Sequence, residues 1–185
     1  MRTIALIAVN ADSQEHEKNL KEFVHKQLAE HDIKVLNFES HHISDMVKEA
    51  KEKAEKTFIV FDAKEGMNPT FAFAAAELCK QNVKPTLIIS NIDAEDADVE
   101  HAKNALAEIW AIENPELETW DLNFDKLYFS YDKMGFHTEP EIAETGVEVL
   151  IDTIVRKWAR KMGSVVLPIF LLFKRIYIKC FNHIF

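Results

Sequence analysis

The fold class predicted is α/β: a three-layer open sheet of five mostly parallel strands, with helices on both faces. Three observations carry this. Strand-like and helix-like patterns alternate five times along the chain. The first strand pattern, Thr3–Val9, is apolar throughout rather than alternating, the mark of a strand covered on both faces. The chain's 185 residues are enough for a single core that buries close to 70% of the unfolded surface. Strands separated by helical crossovers run parallel, which gives the open sheet its direction.

Each element follows from its residues. After Thr3–Val9, Asp12 is an N-cap candidate with Glu15 at capping-box spacing, and Leu20, Phe23, Val24 and Leu28 line one face of the helix that follows. Ile33–Phe38 reads as the second strand, and Ile43, Met46, Val47, Ala50 and Ala54 give the second helix its stripe. Thr57–Asp62 is the third strand, and Asn68 before Pro69 opens an Ala-rich helix to about Gln81. Thr86–Ser90 is the fourth strand, followed by a helix with Val99, Ala102, Leu106, Ile109 and Trp110 on one face. Leu127–Tyr131 is the fifth. Thr138 then opens a last helix carrying Ile142, Val149, Leu150, Ile154 and Trp158.

Charge is unevenly placed. Residues 156–185 hold seven Lys/Arg and no acid, which leaves 15 basic against 31 acidic residues before them. The body is therefore near −16 and argues against a nucleic-acid footprint on the folded domain, since phosphate contacts need basic patches. The composition break falls after Met162. Residues 1–162 form the α/β domain, and 163–185 form a basic, apolar tail. Its apolar run Val165–Phe173, broken by Pro168 and followed by Lys174-Arg175, is too short to span a bilayer. The tail reads either as a segment touching a membrane surface or a partner, or as the product of a frameshift or read-through. Cys79 and Cys180 have no disulfide or metal spacing, and the opening apolar run is too short for a secretory signal, so the expected location is cytoplasmic.

Ligands of open α/β sheets sit outside the carboxyl ends of the strands, here Asn10–Ser13, Asn37–His42, Asp62–Gly66, Ser90–Asp93 and Ser130–Gly135. The segments "FIVFDAKEGMNPTFAF", "VKPTLIISNID" and "LYFSYDKMGF", with the opening "RTIALIA", resemble the G domain of translational GTPases, closest to the ribosome-associated TypA/BipA family. The resemblance spans about residues 2–155. It implies a P-loop GTPase-like fold, GTP/GDP and Mg²⁺ as cofactors, and the ribosome or another protein as partner.

Every nucleotide motif departs from that family's pattern. Its phosphate loop ends in Gly-Lys-Thr/Ser, where Ser13, Gln14 and Glu15 stand here. The D-x-x-G-H element is "NFESH" at Asn37–His41, in which His41 alone matches, as a catalytic remnant. The guanine-reading N-K-x-D is "SNID" at Ser90–Asp93, and Asp93 alone matches. Ser130 matches the serine of the last base-contacting element, but Tyr131 follows where a small residue belongs. Asp93 reads equally well as a cap for the next helix. Only His31 and Asp32 separate the first helix from the second strand, so the switch I segment is missing.

The expectation is therefore a domain with no GTP hydrolysis, no catalytic or metal-binding residues, weak or absent nucleotide binding through Asp93 and Ser130, and no bound cofactor. Such a chain is a pseudo-GTPase or an interaction module. Two alternatives stand beside it. One is a working GTP/GDP-binding translation-factor domain. The other is a receiver-like phospho-acceptor domain, with Asp12, Asp62, Ser90 and Lys133 near the ends of strands one, three, four and five. The pair His41-His42 lacks a third metal ligand at the usual spacing.

Overall fold

The structure is a computed structural model that describes residues 2–9, 14–139 and 147–161. In chain order it forms β1 (Arg2–Ile7), α1 (Gln14–Ala29), β2 (Ile33–Val35), α2 (Ile43–Lys53), β3 (Lys56–Asp62), α3 (Pro69–Lys80), β4 (Thr86–Ser90), α4 (Val99–Glu113), β5 (Lys126–Ser130), β6 (Gly135–His137) and α5 (Glu148–Lys161). The chain divides into two compact units, Met1–Val149 and Leu150–Phe185. The sheet and α1–α4 belong to the first; α5 crosses the boundary.

The sheet has six strands in the order β2-β1-β3-β4-β5-β6, rather than the five expected. The first five are parallel, with Ile7 opposite Ile59, Phe61 opposite Ile89 and Ile89 opposite Tyr128. The sixth is antiparallel. After Ser130 the chain turns through residues 131–134 and comes back to set Gly135 opposite Ser130 and Phe136 opposite Phe129. Three residues are too few to show a period of two, so β6 has no pattern to read in the sequence. The second strand is likewise shorter than Ile33–Phe38: its ladder ends at Val35, and after Leu36 N–H donates to Ile4 O at 2.8 Å the chain turns away toward α2.

The alternation of side chains sorts the core. Ile7, Ile59, Phe61, Leu87, Ile89 and Tyr128 join Val47 of α2, Phe71 and Leu78 of α3, and Leu106 of α4 in one buried cluster. Phe61 meets Phe71 edge to face, with ring centroids 4.8 Å apart. Phe129 points the other way, where Phe23 of α1 lies 5.6 Å from it and 6.2 Å from Phe136. Leu20, Val24 and Leu28 of α1 are fully buried. Helices thus cover both faces, as right-handed crossovers in this strand order require.

Caps fix where the helices begin. Asn68 accepts Phe71 N–H at 2.8 Å, with Pro69 in the first helical position. Asp98 accepts His101 N–H at 2.9 Å and caps α4, so Asp93 does not. The expected cap at Asp12, Ile142 and the tail lie outside the described residues, while Thr138 follows directly on β6 and α5 is described only from Glu148. Among the described residues, no helix is long and apolar enough to cross a membrane.

Candidate functional site

The strand order reverses between β1 and β3, which places the crevice of such a sheet at their carboxyl ends. β3 ends there on Asp62, only 1% exposed. Its Oδ1 accepts Lys64 N–H at 2.9 Å and Glu65 N–H at 3.1 Å, closing the turn that leads to Gly66. Gly66 takes φ +72°, the left-handed region open to glycine. From the neighbouring strand end, Asn91 donates Nδ2–H to both carboxylate oxygens, at 3.3 and 3.5 Å. Asn91 is itself buried and left-handed, at φ +59°. Asn tolerates that conformation better than branched residues do. A buried carboxylate is therefore met by two main-chain N–H groups and a side-chain amide, which replace the hydrogen bonds it would make to water.

Backbone bonds extend the link. Ala63 N–H donates to Ser90 O at 2.9 Å, and Asp98 N–H donates to Ala63 O at 2.8 Å. Ser90, 1% exposed, turns its hydroxyl to Phe61 O at 3.4 Å. The β3 and β4 loops are thus held as one piece through Asp62 and Asn91. Sequence reasoning placed Asp62 and Asn91 separately and did not pair them; the one signal was an asparagine just past a strand end, a residue suited to the left-handed turn.

Asp93 and Ser130 come to the same rim. Asp93 is exposed, and its Oδ2 accepts Asp132 N–H from the β5–β6 turn at 3.3 Å. Ser130 is 1% exposed, and its Oγ accepts Lys133 N–H at 3.0 Å. Tyr131 is half-buried, its ring edge-on to Phe129 at 5.1 Å. Met134 closes the turn at φ +47° with its side chain exposed.

His41 and His42 are exposed in the β2–α2 loop, apart from that pairing. The loop is tied down by its own polar groups. His42 N–H donates to Ser40 Oγ at 3.1 Å, and the Ser40 hydroxyl donates to Asp45 at 2.9 Å. Glu49 accepts Glu39 N–H at 3.1 Å, and Lys53 bridges Glu49 and Glu39 at 2.9 and 3.2 Å. The Lys53 hydrogen bond, and then the Glu39 N–H, hold the Glu49 carboxyl below the usual glutamate value. Among the described residues, no group of three His, Cys, Asp or Glu is placed to hold a metal ion. Of the phosphate-loop positions, Ser13 is outside the described residues, while Gln14 and Glu15 are placed only as the first turn of α1.

No protein-family profile and no curated protein matches the chain. Among solved structures, translation elongation factor SelB from Methanococcus maripaludis, in its apo form, is similar with a TM-score of 0.54 at 14% identity, over 84% of this chain and 34% of that one. The likeness is one of fold, an α/β domain similar to part of that elongation factor. This chain spans about a third of the length of the SelB chain. A fusion bearing the yeast Spc42 trimeric coiled coil covers 99% of this chain and 95% of its own, at 11% identity and a TM-score of 0.43, too loose a likeness to bear on function. A likeness of fold at this identity carries no chemistry, which rests on the rim just described.

Proposed function

We propose that this chain is a translational-GTPase-like domain, related to the TypA/BipA branch, that has lost its phosphate and Mg²⁺ motifs and serves as an interaction module. The observation that carries the proposal is Ser13-Gln14-Glu15 in the place of Gly-Lys-Thr. A Glu15 carboxylate about 5 Å from a phosphate would cost roughly 3 kcal/mol at an effective dielectric near 20, about a hundredfold in affinity before the missing lysine is counted. The link between α1 and β2 supports the same reading. Only residues 30–32 separate Ala29 from Ile33, too few for a segment that closes over Mg²⁺ and a γ-phosphate.

The base end fits a guanine ring poorly. Asp93 already accepts from Asp132 N–H, Ser130 is sealed beneath Lys133 N–H, and Tyr131 stands where a small residue would admit the ring. The receiver-like reading is less favoured, because Asp62 is buried with its carboxylate engaged, whereas a phospho-acceptor needs an accessible oxygen. The proposed setting is cytoplasmic, with the ribosome or another protein as partner.

The test is restoration. Ser13→Gly, Gln14→Lys and Glu15→Thr together should raise affinity for GDP by about a hundredfold or more over the starting chain. Equal affinity in the two chains would show that the three residues were not what excluded the phosphates.

A further inference from the structure

Between α4 and β5 the chain runs "IENPELETWD" from Ile112 to Asp121, with four carboxylates and no basic residue. It is a tied loop. Leu117 N–H donates to Asn114 O at 3.1 Å, Asp121 N–H to Glu118 O at 2.9 Å, and Lys84 Nζ to Asp121 O at 2.8 Å. Leu117 and Leu122 turn inward against the core, and Phe124 is buried with Trp110 4.9 Å away.

Trp120 does the opposite and stands 71% exposed, and Ile112, on the last turn of α4, is 75% exposed. These are the most exposed large hydrophobic side chains among the described residues. Two of the four carboxylates have local partners: Glu113 pairs with Lys80 at 3.7 Å, and Asp121 accepts Glu118 N–H at 3.3 Å. No ion pair among the described residues engages the side chain of Glu116 or Glu118.

We propose that residues 112–121 are a docking surface for an arginine-rich segment of a partner protein, with a guanidinium stacked on Trp120 and Glu116 and Glu118 as its counter-charges. Indole is the best aromatic face for a cation, and guanidinium stacks on it while its fork reaches carboxylates. An apolar partner would desolvate the two carboxylates without replacing their hydration, and an acidic one would be repelled. The loop's hydrogen bonds hold Trp120 outward before binding, so little ordering opposes association. The proposal rests on the interaction-module reading. The loop lies at the amino ends of the strands, away from the rim where a nucleotide would sit, so a peptide titration and a nucleotide titration can fail independently.

The experiment is isothermal titration of the full chain at low salt with a twelve-residue peptide of alternating arginine and alanine, beside its glutamine counterpart. The arginine peptide should bind and the glutamine peptide should not. Trp120→Ala should weaken binding about tenfold at an unchanged unfolding midpoint, as its exposure allows. Glu116→Gln with Glu118→Gln should weaken it similarly, while Asp93→Asn with Asp96→Asn, the same charge change at the opposite end, should stay within about twofold. Absence of binding, a Trp120→Ala effect below about twofold, or equal effects of the two charge-neutral pairs would overturn the proposal, the last by showing diffuse attraction to an acidic body.

Discussion

Asp62 carries more of this fold's local order than its position at a strand end suggests. Its carboxylate answers Lys64 N–H, Glu65 N–H and the Asn91 amide in a buried setting. Asp62→Ala leaves those donors without an acceptor and should destabilise the chain by about 3 kcal/mol in urea unfolding, since each buried unmet donor costs about 1–3 kcal/mol. A loss under about 1 kcal/mol would show that water replaces the carboxylate freely. At Glu49 the effect is of pH. Its folded pKa lies below the ordinary value of 4.5, so the unfolded chain binds the proton first as pH falls. The contribution of the Glu39–Glu49–Lys53 tie is complete above the ordinary value and fades as pH drops through the depressed one. The Glu39 amide proton resonance should shift toward its unbonded position over that lower range, whereas a midpoint at the ordinary value would mean that the tie is not formed in solution.

At the scale of elements, caps and turns make the sharpest tests. Asn68→Ala removes the acceptor for Phe71 N–H and should cost about 1 kcal/mol, seen as a lower urea midpoint at an unchanged slope. Met134→Gly should raise stability by about 0.5–1 kcal/mol, because a left-handed non-glycine backbone is strained and the exposed side chain packs little. Destabilisation there would mean that the Met134 side chain contributes packing in solution. The strands legible in the sequence are those with long apolar runs: β3, with every residue buried, and β4 were placed within a residue. The cap at Asn68 was legible because Asn-Pro fixes a helix start chemically. β6 was not, since a three-residue return strand is set by pairing with β5, a long-range contact without local pattern. The alternative reading of Asp93 as the cap of α4 does not hold, because Asp93, Asp96 and Asp98 are chemically alike and only the path of the loop selects Asp98.

For the whole molecule, the parallel layers follow from periodicity alone, while the rim depends on which loop groups face one another. The sequence marks Asp93 and Ser130 only as loop and strand-end residues, and their engagement by Asp132 N–H and Lys133 N–H arises from the turn after β5. The central claim concerns what that rim can hold. Titration of the full chain with fluorescent GDP and GTP, with and without Mg²⁺, addresses it directly. If Gln14 and Glu15 stand in place of the phosphate-loop lysine and hydroxyl, as proposed, no saturable binding is expected below about 100 μM, and Mg²⁺ should make no difference. A micromolar or tighter dissociation constant, strengthened by Mg²⁺, would contradict the account and identify a working nucleotide-binding domain.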